Sequence, residues 1–259
     1  MKELNALNAM AQNHKALFKL LAKAKELTRV YDNDGFYSVQ AENSVYPKLT
    51  LYYDREFCKE QSFDNYLKAL EKQQASPYII FQKNENFIST DRLLKQRGFR
   101  AVEEWPSMSI SLNNLPKESN GELQIVKVET DVHLQQWLTV VEKVLFNNCL
   151  LNKHIFQQLN REENVSLWLG FFNGQPICTI LSFVYFNAVG LYMISTLPAF
   201  RGKGFAQEIT LKALNEASTM GTENGVLQST RLGINTYRRM GFQEEGKFLI
   251  YWKVGKQYL

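Results

Sequence analysis

The chain has 259 residues, 45% of them hydrophobic and 22% charged, an ordinary balance for a folded protein. Its formal net charge of +4 is too diffuse to match the concentrated basic stripe of nucleic-acid binders, so no nucleic-acid partner is expected. Every apolar run is interrupted well short of the ~18 residues of a membrane span, so no transmembrane span and no membrane partner are expected. Lys2, Lys15, Lys19, Lys23 and Lys25 break up the N-terminal stretch, unlike a signal peptide.

Cys58, Cys149 and Cys178 are odd in number and widely spaced. They read as thiols in a reducing compartment, which makes the cytoplasm the expected location. At ~100–200 residues per domain the length suits two modest domains.

Residues 2–27 read as an amphipathic helix, with Leu4, Leu7, Met10, His14, Leu17 and Leu21 forming one stripe. His14 on that stripe reads as a packed histidine. Strands are expected at 36–39 and 49–53, a helix at 62–73 capped by Ser62, and a strand at 78–81. A helix at 89–97 stops at Gly98, which suits a left-handed terminating position, and a strand follows at 102–112. Residues 115–122, with Pro116 and Gly121, form the best linker in the chain. It divides the chain into an N-terminal domain, 1–115, and a C-terminal domain, 122–259.

Beyond it the pattern gives a strand at 123–128, helices at 132–146 and 153–160, and strands at 166–172, 176–186 and 189–197. Asn173-Gly174 and Asn187-Ala188 mark tight connections. A helix at 202–220, a strand at 226–229, a short helix at 234–240 and a strand at 242–253 complete the chain. The order β-α-α-β-β-β-α-β-α-β predicts a mixed α/β sheet with helices on its faces. Residues 92–104 and 236–246 both run helix, Gly-Phe, acidic turn, strand, an echo that suggests two related halves.

The chemistry centres on residues 198–206. A diphosphate needs several backbone N–H groups, close approach without a Cβ, and a helix N-terminus behind it. Gly202, Gly204 and Ala206 open the backbone, while Arg201 and Lys203 can add charge-assisted contacts. A Walker loop would need a different glycine spacing. The Rossmann fingerprint would need a small residue in place of Gln207 and the rest of its βαβ unit.

The run Arg201-Gly202-Lys203-Gly204-Phe205-Ala206, preceded by Thr196-Leu197-Pro198, resembles the Arg/Gln-x-x-Gly-x-Gly/Ala signature of the GNAT superfamily of N-acetyltransferases. Downstream, Tyr237-Arg238-Arg239-Met240-Gly241-Phe242 is similar to that family's Tyr-x-x-x-Gly-Phe. The resemblance covers about residues 123–254. The N-terminal half carries only the Gly98-Phe99 echo, so the chain resembles two tandem GNAT-like domains, the first degenerate.

The resemblance implies an acetyl-CoA co-substrate and direct attack of a small-molecule or peptide amine on the thioester. It makes Tyr237 the candidate acid for the departing thiolate. It assigns the backbone of Ile194, Ser195 and Thr196 to the pantetheine and the developing oxyanion, residues 201–206 to the diphosphate, and Asn235 and Arg238 to the cofactor's far end. Many relatives carry a glutamate on the strand before the loop, but residues 191–197 hold no carboxylate. Glu103 and Glu104 read as solvated charges, and no base is assigned.

Two other readings stay open: a non-catalytic acyl-CoA-binding or protein-interaction module, and an aminoacyl-tRNA-dependent transferase, against which the intact loop argues. Histidines and cysteines lack metal-ligand spacing, so no metal is expected, and Cys178 reads as a buried thiol. The segment 147–154 is where acceptor selectivity is expected. Self-association as a homodimer stays open.

Overall fold

The computed structural model describes residues 6–33, 35–52, 60–83, 87–116 and 121–255. Leu4, Cys58 and the middle of the expected linker lie outside them.

In chain order the N-terminal half forms α1 (Ala6–Leu21), β1 (Thr28–Asn33), β2 (Phe36–Ala41), β3 (Lys48–Tyr52), α2 (Glu60–Glu71), β4 (Tyr78–Gln82), α3 (Phe87–Gln96) and β5 (Phe99–Ser111). The C-terminal half forms β6 (Gln124–Lys127), α4 (Asp131–Leu145), α5 (Lys153–Leu159), β7 (Val165–Phe172), β8 (Gln175–Tyr185), β9 (Ala188–Thr196), α6 (Phe205–Thr219), β10 (Asn224–Gln228), α7 (Ile234–Arg239) and β11 (Gln243–Lys253). The predicted order of the C-terminal half is the observed one.

Three local expectations differ. The first helix ends at Leu21, and Thr28–Asn33 is a strand; its alternation is too polar, with only Thr28 buried, to stand out in sequence. Ser62 lies inside α2 rather than capping it. The β8–β9 connection takes its positive φ at Phe186, not at Ala188. At Asn173-Gly174 both residues have positive φ, as the tight hairpin turn requires.

Among the described residues eleven strands form one sheet, in the order β1-β2-β3-β4-β11-β5-β10-β9-β8-β7-β6. In each half a strand, a helix and a second strand form a crossover whose two strands run parallel with one strand's width between them. The other half's last strand fills that gap. β5 lies antiparallel between β10 and β11, and β11 lies antiparallel between β4 and β5. The 92–104 and 236–246 segments therefore occupy equivalent places on either side of the β5–β11 pair. Gly98 and Gly241 end their helices at φ of 78° and 96°, backbone positions that disfavour a Cβ.

One face of the sheet carries α1, α4 and α5 over a core that includes Phe18, Trp137, Val226 and Phe248. The opposite face carries α6 and α7 around Met108, Leu191 and Leu227, and α2 and α3 around Phe63, Tyr66 and Tyr251. Helix α1 buries Met10, Asn13, His14, Leu17, Phe18 and Leu21, one stripe at helical spacing. It lies across the middle of the sheet and packs on β8, β9 and β10, so the N-terminal helix covers the C-terminal half.

Candidate functional site

The site begins where two parallel strands part. β9 and β10 pair from Ala188/Asn224 to Leu191/Leu227 and no further. Beyond Leu191, β9 continues to Thr196 with β8 alone, leaving a fork between β9 and β10.

A bulge shapes the β9 side of this fork. The β8–β9 register shifts between Thr179/Ser195 and Leu181/Tyr192, and Met193 sits at φ 50°. An extra residue on one strand bends it and frees backbone groups from the ladder. The Met193 carbonyl accepts hydrogen bonds from Thr179 Oγ1 (3.1 Å) and Ser195 Oγ (3.3 Å), two hydroxyls that hold the distortion in place. Leu197 N–H donates to the Ile177 carbonyl at 2.9 Å. Alternation along the strand then turns the Ser195 backbone to β8 and the Ile194 and Thr196 backbone towards the fork. Of the three strand residues expected to hold a pantetheine by their backbone, Ile194 and Thr196 face the opening. Ser195 is buried with its hydroxyl committed to the bulge.

The loop follows at once. Residues Pro198–Phe200 make one 3-10 turn, and Gly202 and Gly204 take φ of 78° and 88°. Gly204 is the N-cap of α6 and provides no side-chain cap, so the first N–H groups of the helix point out of its end without an intrahelical partner. A Cβ built on either glycine meets no atom within 4 Å. Backbone conformation, not crowding within the protein, therefore calls for glycine here, and the space before the loop is open.

The loop's side chains divide. Arg201 is exposed and its Nε donates to the Thr196 carbonyl at 3.2 Å, tying the loop to the end of β9. Lys203 Nζ lies over the rings of Phe172 and Phe200, 5.7 and 5.8 Å from their centroids. Phe205 is buried against Phe172, so only its backbone can face a ligand. Ala206 is half-buried.

Across the fork stands α7. Tyr237 is buried, packs edge-on against Phe242 with centroids 5.7 Å apart, and belongs to the same core as Leu191 and Leu227. Burial pushes its phenol pKa well up, so it stays protonated through the neutral range. Gly233 makes room for it: a Cβ there would stand 3.0 Å from the Tyr237 ring. Arg238 is paired with Glu244 and touches Asn235 Oδ1 at 3.4 Å. Asn235 and Arg238 thus lie together at the surface of α7, with the guanidinium engaged by a carboxylate of β11.

Cys178 is fully buried, and desolvation together with the charge of Glu208 pushes its thiol up to about 12; it stays protonated. Among the described residues no group of three or more His, Cys, Asp or Glu could hold a metal ion, and no helix is long and apolar enough to cross a membrane.

Several contacts at the fork escape sequence reasoning. Tyr192, the first β9 residue past the last β10 pair, donates its hydroxyl to Asn13 Oδ1 of α1 at 2.6 Å. Asn13 Nδ2 in turn donates to the carbonyls of Phe183 and Ala188 at 3.1 and 3.2 Å. The only sequence signal was an asparagine inside an apolar stripe. Segment 147–154 is tied to the N-terminal half by Asn152 N–H, which donates to Ser44 Oγ at 3.1 Å, and to α4 by Leu151 N–H, which donates to the buried Glu142 carboxylate at 2.8 Å.

A parallel fork with a bulged strand, followed by a glycine loop opening a helix, defines the acyl-CoA-type N-acyltransferase fold. Residues 132–242 match the model of the acetyltransferase (GNAT) family, and this part of the chain is a GNAT domain. The whole chain has the fold of tandem GNAT proteins. A GCN5-related N-acetyltransferase from Kribbella flavida is 14% identical, with 96% of each chain covered and a TM-score of 0.72. One from Sphaerobacter thermophilus is 14% identical over 94% of this chain and 92% of its own, with a TM-score of 0.62. A tandem GNAT protein from the clavulanic acid biosynthesis pathway is 7% identical, with 94% of each chain covered and a TM-score of 0.62. At these identities the likeness is one of fold. Comparison with curated proteins finds no match.

Proposed function

We propose that the chain is an acetyl-CoA-dependent N-acetyltransferase that acts on a primary amine of a small molecule or peptide. We further propose that its two lobes divide at the 115–122 connection and that it works in the cytoplasm. The observation that carries the reading is the conjunction of three parts. The open glycine loop at the start of α6, the fork edge of β9 at Ile194 and Thr196, and Tyr237 of α7 in the core beside Leu191 and Leu227 support it together.

In this reading the N–H groups of residues 202–206 and the α6 N-terminus bind the diphosphate. The fork edge of β9 binds the pantetheine and offers an N–H to the oxygen that becomes negative. The amine nitrogen bonds to the carbonyl carbon, and the carbon–sulfur bond breaks. Tyr237 delivers a proton to the leaving thiolate and recovers one from the nitrogen through solvent, so one proton passes from nitrogen to sulfur overall.

Thermal unfolding with acetyl-CoA tests the binding claim, because a ligand at 100 times its Kd adds ~2.7 kcal/mol of stability. No stabilisation at millimolar ligand rejects it. Release of free thiol in the presence of amines then tests catalysis. A second reading, an acyl-CoA-binding module without catalysis, is favoured by the lack of a carboxylate on β9; stabilisation without thiol release would select it.

A further inference from the structure

The surface of the fork under α1 holds polar atoms that the coenzyme reading leaves unused. Gln228, the last residue of β10, stands opposite Ser107 of β5. Trp105, two residues further along β5 on the same face, stands opposite Phe248 of β11. Val226 and Phe248 put this face under α1. His14 of α1 lies above it, with its ring 5.8 Å from that of Tyr192, 6.1 Å from Phe248 and 5.0 Å from Phe18.

Four atoms of this group are buried without a hydrogen-bond partner among the described residues: His14 Nδ1, Ser107 Oγ, Trp105 Nε1 and Gln228 Nε2. His14 and Ser107 are themselves 5% and 0% exposed. The neighbouring Asn13, by contrast, is satisfied on both ends of its amide, while Thr196 Oγ1 of β9, at the fork, is a further orphan. Buried polar groups in folded proteins are almost always paired, because leaving them unpaired forfeits their hydration. Orphans in adjacent register form a polar surface that a ligand with matching groups would pair.

The chemistry of these atoms defines that ligand. Trp105 Nε1 and Gln228 Nε2 are donors and call for an oxygen acceptor; His14 Nδ1 can accept, and Ser107 can do either. No group of the cluster is charged at neutral pH. Burial holds the His14 imidazole neutral, down to about 4. Tyr192 on β9 and Tyr46 in the β2–β3 turn are both pushed up by burial. Glu245 at the β11 bulge accepts from Ser109 Oγ; Lys247 opposite Pro106 is paired with Glu104.

We infer that this cluster is the acceptor subsite. It takes an uncharged α-amine beside a carbonyl oxygen, as in an amino-acid amide or a peptide N-terminus, with His14 accepting from the amine and Trp105 and Gln228 donating to the carbonyl. The inference rests on the acetyl-CoA reading above. An α-amine has a pKa of ~7.7–8.0 and a lysine side chain ~10.4, so at pH 8 the neutral fraction of the first exceeds that of the second roughly 100-fold. A site without a base gains from that difference. The lack of a cation in the cluster also disfavours a free amino-acid carboxylate.

The test uses the full chain with acetyl-CoA and three probes: alaninamide, alanine and Nα-acetyl-lysine amide, with thiol release as readout. Alaninamide is expected to give kcat/KM at least tenfold above both others at pH 8, rising with pH through the amine's own pKa. His14→Phe, Trp105→Phe and Gln228→Leu are expected to raise the KM for alaninamide at least tenfold, while stabilisation by acetyl-CoA stays as in the wild type. Two conservative variants besides His14→Phe keep the test open should one fail to fold. Equal KM in all folded variants, or a preference for the lysine derivative, overturns the inference and leaves the coenzyme reading standing. Absence of stabilisation of the wild type by acetyl-CoA overturns both.

Discussion

The exchanged strands make a demanding prediction about the C-terminal half alone. Residues 122–259 contain the GNAT motifs, yet between β10 and β11 the sheet has a gap that only β5 fills. Removing residues 1–116 takes away Met108 and Ile110 of β5 and the adjoining Leu112, all buried in the core shared with α6, Tyr237 and Phe242. At about 1.5–3 kcal/mol for each large apolar side chain, their loss approaches the ~5–15 kcal/mol that holds a whole domain together. The loss of α1 uncovers the opposite face as well, exposing Val226, Phe183 and Ala188. The fragment is therefore expected to lack a cooperative thermal transition by circular dichroism and to elute as an expanded or aggregated species. Adding residues 1–116 as a separate chain should restore a cooperative transition, because the missing strand and helix return. A fragment that melts cooperatively by itself, within a few degrees of the intact chain, would refute the reasoning and mean that β11 pairs directly with β10.

Three more outcomes are expected. Tyr237→Phe keeps the ring contact with Phe242 and should lower turnover by ~10²–10⁴ with acetyl-CoA affinity within twofold, read by thiol release and calorimetry; unchanged turnover removes Tyr237 from the mechanism. Gly204→Ala should cost ~1–2 kcal/mol from its φ of 88° alone, since no neighbour obstructs a Cβ, whereas Gly204→Glu should also abolish acetyl-CoA stabilisation by setting a negative charge before the helix end. His14 has a folded pKa near 4 against 6.5 when exposed, so the unfolded chain binds its proton first as pH falls. Its contribution is complete above pH 6.5 and is lost progressively down to pH 4, by ~3 kcal/mol; urea titrations of His14→Phe should show a correspondingly weaker acid destabilisation than the wild type, and identical pH slopes would contradict the burial.

What the sequence revealed and what it hid follow from the range of the interactions involved. Helices with one buried stripe, the Asn173-Gly174 turn and the helix stop at Gly98 are local events, and each is written in the residues that make it. The bulge at Met193 is not, because no glycine marks it; two hydroxyls from different strands hold it, and their meeting depends on register. Ser195 illustrates the same limit: its position near the loop suggests a ligand contact, while its register partner Thr179 turns its backbone to β8. The strand exchange is not legible in the sequence, where the Gly-Phe echo suggests only two related halves. That echo showed two similar crossovers but not which strand would fill each gap, since pairing is settled by edges and gaps brought together from distant parts of the chain.

The same exchange bears on the missing carboxylate. A solitary catalytic domain must raise its base from its own strands, and β9 has none to give. Here the fork lies beneath a helix from the other half, beside a strand from the other half, and every group they place there is neutral: Asn13 and His14 from α1, Trp105 and Ser107 from β5. A neutral, desolvated surface cannot strip a proton from an alkylammonium ion. It can hold an amine that arrives without one, and desolvation then favours the uncharged form over the ion throughout the encounter. On the proposed reading, the N-terminal half has given up a coenzyme loop of its own and acts in catalysis by selecting the protonation state of the acceptor. The requirement for a base then passes from the protein to the pKa of the substrate.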